Sequence, residues 1–411
     1  MTPIAQNSEP RLRAVSVALA LAIVLLPALV ATRSAQGQTF TVLYSFTGGA
    51  DGAETYAGLI LDAAGNLYGA TYWGGASGGF NGYGTVFKLA KTGKETALYT
   101  FTGGSDGAHP AYEYLVRDAA GNLYGTTAYG GAYTGDNGYG TVLKVDKTNK
   151  ETVLYTFTGG SDGANPYAGL VRDAAGNLYG TTLNGGASGL GTVFKLNKAG
   201  KETVLHSFTG GGGDGSYPYA GLVRDAKGNL YGTAYEGGSS GCYLGYGCGV
   251  VFKVDATGKE TVLYAFTGTG GDGGFPDAGL VRDTQGNLYG TTAGQGASGY
   301  GTVFKLDKKG KETVLYSFTG TGGDGAYPYS DLVRDAMGNL YGTTSQGGGS
   351  GAGTVFKLDK TGNETVLYSF TGGDDGYDPW AGLVRDTKGN LYGTTVGRGA
   401  YGWGTVFKLT P

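Results

Sequence analysis

A chain of 411 residues is long enough for two ordinary domains or one large repeat ring. Hydrophobic residues make up 40% and aromatics 12%, enough for a core and too much for disorder, while 10 prolines beside 85 glycines exclude collagen. The net charge of −3, with lysines recurring singly in turns, offers no concentrated basic face for a nucleic acid.

The chain opens with Arg11 and Arg13, a charge-free apolar run from Ala14 to Val30, and small residues at Ala35 and Gly37. This is the three-part layout of a secretory signal. Residues 1–37 are therefore expected to be a signal peptide, cleaved before Gln38, with residues 38–411 as the folded domain. An uncleaved anchor is the competing reading, because the run approaches the roughly 20 residues that span a bilayer. Removal of three arginines and one glutamate takes the net charge from −3 to −5. The expected location is secreted, periplasmic or cell-surface, with no membrane association once the signal is gone. The chain is expected to be a monomer.

After the leader one unit recurs, and a clean copy runs from Tyr167 to Phe208. Its GNLYG asparagine falls at Asn66, Asn122, Asn177, Asn229, Asn287, Asn339 and Asn390, with spacings of 56, 55, 52, 58, 52 and 51. A period near 50 belongs to propellers and kelch-like arrays. Each unit reads as four short strands: AGLVRD, NLYGTT, GTVFKL and TVLYSF, rich in β-branched and aromatic residues and separated by glycine turns. The domain begins with a lone fourth strand, Thr41 to Phe46, and ends with a third strand, Thr405 to Leu409. Pairing the two closes a ring with no bare edge. The predicted fold is all-β: a seven-bladed β-propeller with four antiparallel strands per blade, the N-terminal strand completing the last blade. The Gly-Asp-Gly loop and the variable loop then share one face of the disc, where function is usually built.

The units GTVFKLDKTGKETVLYSFTGG, DGA.PYAGLVRDAAGNLYGTT and the later GG resemble the tandem repeat of the GloVer proteins, exported bacterial proteins with varied surface anchors. The hairpin D-AAGNLY is also similar to NHL-type propeller repeats, and the GG to kelch. The resemblance implies an extracytoplasmic repeat protein of undefined biochemistry. Family members often end in an anchoring segment, whereas this chain stops at Thr410-Pro411, which puts surface attachment in question.

Residues copied into every unit point to the fold. The aspartate before each tight turn, such as Asp173, is expected to accept backbone N–H bonds across it. The loop aspartates Asp51, Asp106, Asp162, Asp214, Asp272, Asp324 and Asp375 read as turn caps, with calcium as the alternative because carboxylates between glycines also ligate it. No other cofactor is expected. The two histidines, His109 and His206, occupy unlike positions and suggest no metal cage, so no metal ligand is assigned. Cys242 and Cys248, six apart in one loop, are expected to form a local disulfide.

Asymmetric positions are better candidates for a ligand. Trp73, Tyr129, Tyr133, Tyr243, Tyr246, Tyr300 and Trp403 lie in variable loops, and Trp380 replaces a tyrosine beside the Gly-Asp-Gly connection. Glu113, Asp277, Asp331 and Arg398 break the repeat nearby. Aromatic rings with scattered carboxylates suit stacking on sugars and hydrogen bonding to hydroxyls. The competing role for the rings is to fill gaps between blades. The expected function is non-enzymatic binding of a glycan or an envelope protein through this face. The alternatives are a polysaccharide- or lactone-acting enzyme with its site at the central channel, and a structural cell-surface component.

Overall fold

A computed structural model describes residues 38–110, 114–211, 213–238, 241–242 and 245–411. The leader, Glu113 and Tyr243 lie outside the described residues. The chain forms a seven-bladed β-propeller, each blade a sheet of four antiparallel strands taken in sequence order outward from the axis. In the third blade these are Val171–Arg172, Leu178–Thr182, Thr192–Leu196 and Glu202–Ser207. The second blade adds Ala108–Pro110, which pairs with Leu123–Tyr129. Thr39–Ser45 pairs antiparallel with Thr405–Thr410, Phe40 opposite Leu409, so the first strand completes the last blade as expected.

The innermost strand is shorter than the sequence suggests. Of AGLVRD only Val171 and Arg172 join the ladder, opposite Tyr179 and Leu178. The residues ahead of them leave the ladder and line the axis. At the other edge each outer strand carries a register shift, as between Val153 and Tyr155. Bulges of this kind twist an edge away from further pairing.

Three recurring contacts hold the ring together, the first and third between neighbouring blades and the second within each blade. The phenylalanine ending one unit meets the one in GTVF of the next edge to face, as in Phe157–Phe194 and Phe208–Phe252 at 5.2 and 5.1 Å between centroids. All four rings are fully buried. Second, the tight-turn aspartate is the clamp predicted for it: Asp173 accepts from Asn177 N, Asn177 Nδ2 and Tyr179 Oη at 2.9, 2.8 and 3.0 Å. Burial raises its pKa, but the hydrogen bonds from Asn177 and Tyr179 outweigh that and hold the carboxyl below its ordinary value. Third, the clamped tyrosine receives an arginine from the next blade, Arg224 lying 5.6 Å over the Tyr179 ring. Replacing Arg224 by alanine is expected to cost about 1 kcal/mol, read as a lower midpoint in chemical denaturation. The first unit has Leu61 at this position, and there the side chain packs into the apolar cluster of Phe46, Leu59 and Phe87 instead.

Candidate ligand-binding cavity at the channel mouth

Seven loops converge on the axis at the face that carries the long connections. In each, the loop aspartate caps the turn: Asp162 accepts from Tyr155 Oη, Thr158 N and Thr158 Oγ1 at 3.0, 2.9 and 2.6 Å. A non-glycine residue in the left-handed region follows: Glu54, His109, Asn165, Tyr217, Phe275, Tyr327 and Asp378, with φ between 54° and 61°. Such strain persists only where the surroundings over-determine it. Here the backbone N–H of each is tied to the preceding unit, as Asn165 to Tyr139 O at 2.8 Å and Tyr327 to Tyr300 O at 3.0 Å. In six of the seven units proline comes next and fixes the following turn. The next residue lines the axial cavity in six units: Tyr167, Tyr219, Asp277, Tyr329 and Trp380 after proline, and Tyr56 after Thr55.

Together they enclose a cavity of about 420 Å³ at the channel mouth, completed by Tyr114, Leu183, Tyr235, Ser330 and Asp331. Its walls are aromatic. Trp380 stacks on Tyr329 with centroids 4.4 Å apart and an interplanar angle of 19°, and Tyr56 meets Trp380 edge to face at 5.7 Å. Opposite, Tyr219 lies 5.5 Å from Tyr235 and 6.2 Å from Tyr167. The floor comes from two departures from the repeat. Where Gly58, Gly169, Gly221, Gly279 and Gly382 stand in five units, the other two carry Tyr114 and Asp331. Tyr114 reaches across to Leu383 O at 3.5 Å, into space that a Cβ on Gly58 or Gly382 would occupy. Asp331 Oδ1 accepts from Gly279 N at 2.5 Å. Both side chains also border a smaller cavity of about 100 Å³ further down the channel.

The charged residues lining the upper cavity are both acidic. Burial and the neighbouring Asp331 push Asp277 up to about 7, and burial pushes Asp331 up to about 6 against the lowering bond from Gly279. Asp378, behind Trp380, is raised to about 6 by burial. Burial, then Asp277, pushes Tyr235 up to about 12. Two carboxyls that resist ionisation in one aromatic enclosure can take hydrogen bonds from hydroxyls, receive a cation, or exchange a proton with a ligand.

Comparison with known proteins gives the family and the fold. The Gloeobacter/Verrucomicrobia repeat matches residues 29–173, 132–337 and 281–411. The chain belongs to that family. No curated protein matches in sequence. Among solved structures, it is similar to the extracellular domain of a protein assigned as a hybrid two component system in B. thetaiotaomicron, at TM-score 0.57 and 13% identity over 91% of this chain and 41% of that one. The extracellular domain of a one component system from the same organism is similar at TM-score 0.55 and 12% identity, over 89% of this chain and 39% of that one. This Gloeobacter/Verrucomicrobia repeat chain thus spans about two-fifths of the length of either.

Of the residues singled out from sequence, Trp380, Asp277 and Asp331 meet in the cavity of this repeat protein. Tyr129 stands one layer outside, its hydroxyl 2.5 Å from that of Tyr167. Trp73 does not line it and packs against His109 and Phe80 at 4.3 and 5.8 Å. Tyr300 packs under Gly320 and Trp403 under Gly48, leaving no room for a Cβ on Gly48. Tyr133 and Tyr246 are exposed loop residues. Arg398 sits in a turn at φ 65°, its backbone bridged to Trp403, and does not line the cavity. Cys242 and Cys248 form the expected disulfide, with Cα atoms 5.0 Å apart, and the bridge packs against Gly268 as Tyr300 does against Gly320.

Two groupings escape the sequence. The cavity tyrosines Tyr56, Tyr167, Tyr219 and Tyr329 belong to a repeated segment, written PYAG, TYAG or PYSD, and read there as fold residues. The usable signal was the column itself, where Asp277 and Trp380 interrupt a run of tyrosines. His206 Nε2 lies 3.4 Å from Asp214 Oδ1, and Glu260 of the next blade brings a third donor, all within 4.8 Å of one another. This is the one described group whose donor spacing would suit a metal ion.

Proposed function

We propose that this is an exported propeller that binds a carbohydrate in the aromatic cavity at the mouth of its channel. The observation that carries the proposal is the enclosure itself: Trp380, Tyr329, Tyr56, Tyr167, Tyr219 and Tyr235 around about 420 Å³. That volume lies in the range of small-molecule sites and suits one or two sugar rings. Ring faces stack on the apolar face of a sugar, while the Asp277 and Asp331 carboxyls and the tyrosine hydroxyls accept and donate hydrogen bonds to its hydroxyls. Export is supported by the signal-like leader and by the Cys242–Cys248 disulfide, which suits an oxidising compartment. Screening the mature chain against a glycan array, followed by calorimetry on the hits, is expected to give binding that Tyr329→Ala weakens at least tenfold. Binding unaffected by Tyr329→Ala, or capture of an envelope protein with no glycan binding, would overturn the assignment.

The acidic pair supports a second reading, hydrolysis of a glycosidic or lactone bond. One carboxyl held protonated beside another is the arrangement general acid catalysis requires. Release of reducing sugar from a bound oligosaccharide, abolished by Asp277→Asn, is the expected result for an enzyme. Binding without turnover would leave a pure binding protein.

A further inference from the structure

The carbohydrate reading leaves open what the two acids are for. Every charged residue lining the described cavity is acidic, and no lysine or arginine lines it. Further acidic groups act on the residues of its walls. Asp378 stands behind Trp380, Glu54 accepts from Tyr56 Oη at 3.1 Å, and Glu236 acts on Tyr219 and Tyr235. Among the described residues none hydrogen-bonds the Asp277 carboxyl, and the charge of Asp331 acts on it. Asp331 spends Oδ1 on Gly279 N. Around them, Trp380, Tyr329, Tyr219 and Tyr235 supply aromatic rings, whose faces carry negative potential and attract cations. An anionic sugar would bring a third negative group into this space. A neutral sugar would use the rings and leave the acids to share protons.

From this juxtaposition we propose that the cavity recognises a cationic group, the ammonium of an amino sugar or a quaternary ammonium, seated between Asp277 and Asp331 and enclosed by the Trp380–Tyr329 stack. The inference rests on the carbohydrate reading only for the amino sugar, since the cation site is built from the acids and rings alone. The tyrosine and tryptophan faces meet the alkyl or ring carbons around the charge, and the carboxylates neutralise it in a space of low effective dielectric. Because burial raises the proton affinity of both acids above that of an ordinary carboxylate, entry of the cation releases protons. Binding of a cation whose own charge does not titrate therefore tightens as pH rises from about 5 to 8.

The test compares four probes by calorimetry on the mature chain: glucosamine disaccharide, its N-acetylated form, tetramethylammonium chloride and calcium chloride. The expected result is at least tenfold tighter binding of the free amine than of the N-acetylated sugar at pH 6.5. Tetramethylammonium is expected to bind more tightly at pH 8 than at pH 5, with both preferences lost in Asp277→Asn and Asp331→Asn. The wild-type comparison needs no variant, so a variant that fails to fold does not remove the test. Equal binding of both disaccharides, unaltered in Asp277→Asn, overturns the cation site and leaves the carbohydrate reading standing. Binding of tetramethylammonium with neither sugar supports the cation site and removes the carbohydrate reading. Calcium binding that displaces tetramethylammonium, or no binding by any probe, overturns the proposal.

Discussion

Trp380→Ala is expected to weaken carbohydrate binding about thirtyfold while the propeller stays folded. The magnitude follows from the roughly 2 kcal/mol or more that truncating a central aromatic anchor costs. Trp380 is the largest ring at the channel mouth, half-buried, and held flat by Tyr329 at 4.4 Å. Its removal takes away a stacking surface and leaves Tyr329 without its partner. Trp380→Phe keeps a ring face and is expected to retain most of the affinity. Trp403→Ala provides the contrast. That ring fills the space under Gly48 and meets Phe80 at 5.0 Å, so its loss is expected to lower the melting temperature and leave affinity within a few-fold. Calorimetric titration beside thermal melts separates the two outcomes. Equal loss of affinity in both tryptophan variants would contradict the placement of the ligand at the axis.

The second large effect is a fall in stability as pH rises from about 4.5 to about 7, opposite to the acid lability usual in folded proteins. A glutamate begins six of the seven outer strands, as Glu95, Glu151, Glu202, Glu260, Glu312 and Glu364, and in all six Oε1 is buried without a hydrogen-bond partner. Burial, and then the loop aspartate across the blade interface, pushes Glu95, Glu151, Glu202, Glu312 and Glu364 from 4.5 up to about 7. Glu260 moves the same way, opposed in part by His206. The folded state therefore holds protons that the unfolded chain has already lost. This contribution is complete below the unfolded value of 4.5 and is gone once pH passes the folded value near 7. Each glutamate keeps partial access to water, so its share is smaller than the full shift implies. The tight-turn aspartates act in the other direction. Burial raises them, but the Asn and Tyr hydrogen bonds win and hold them low, so their stabilisation is lost as pH falls through their folded pKa. The optimum is expected between about pH 4 and 5, where both sets are in their preferred form. Urea midpoints measured from pH 3 to 8 test this. A midpoint that climbs steadily to pH 7 would show that water or a cation satisfies the six glutamates.

The blade was legible because its signals are local. Period, turn glycines and alternating strands depend on neighbours a few residues apart, and the unpaired strand at each end of the repeat array implied the seam between Thr39–Ser45 and Thr405–Thr410. The clamp of Asp173 on Asn177 and Tyr179 was half visible, since the aspartate and its turn are adjacent while the tyrosine's part needs the hairpin folded. The cavity was visible only at its irregular members. Asp277, Asp331 and Trp380 stood out because they interrupt a column. Tyr56, Tyr167, Tyr219 and Tyr329 were hidden because a residue in every copy resembles structure.

By itself, the sequence determined the repeat, the closed ring, the face bearing the long loops and the Cys242–Cys248 bridge, all consequences of short-range pattern or of spacing within one loop. Only the tertiary structure decided which residues meet. Seven-fold arrangement about an axis brings equivalent positions some fifty residues apart into one enclosure, and it leaves the variable-loop Trp403 to fill the gap beneath Gly48. A residue that serves each blade singly as filler becomes, at the axis, one wall of a shared cavity. The decisive departures are those at two axial positions, Asp277 and Trp380 at one and Tyr114 and Asp331 at the other, where side chains from different blades converge.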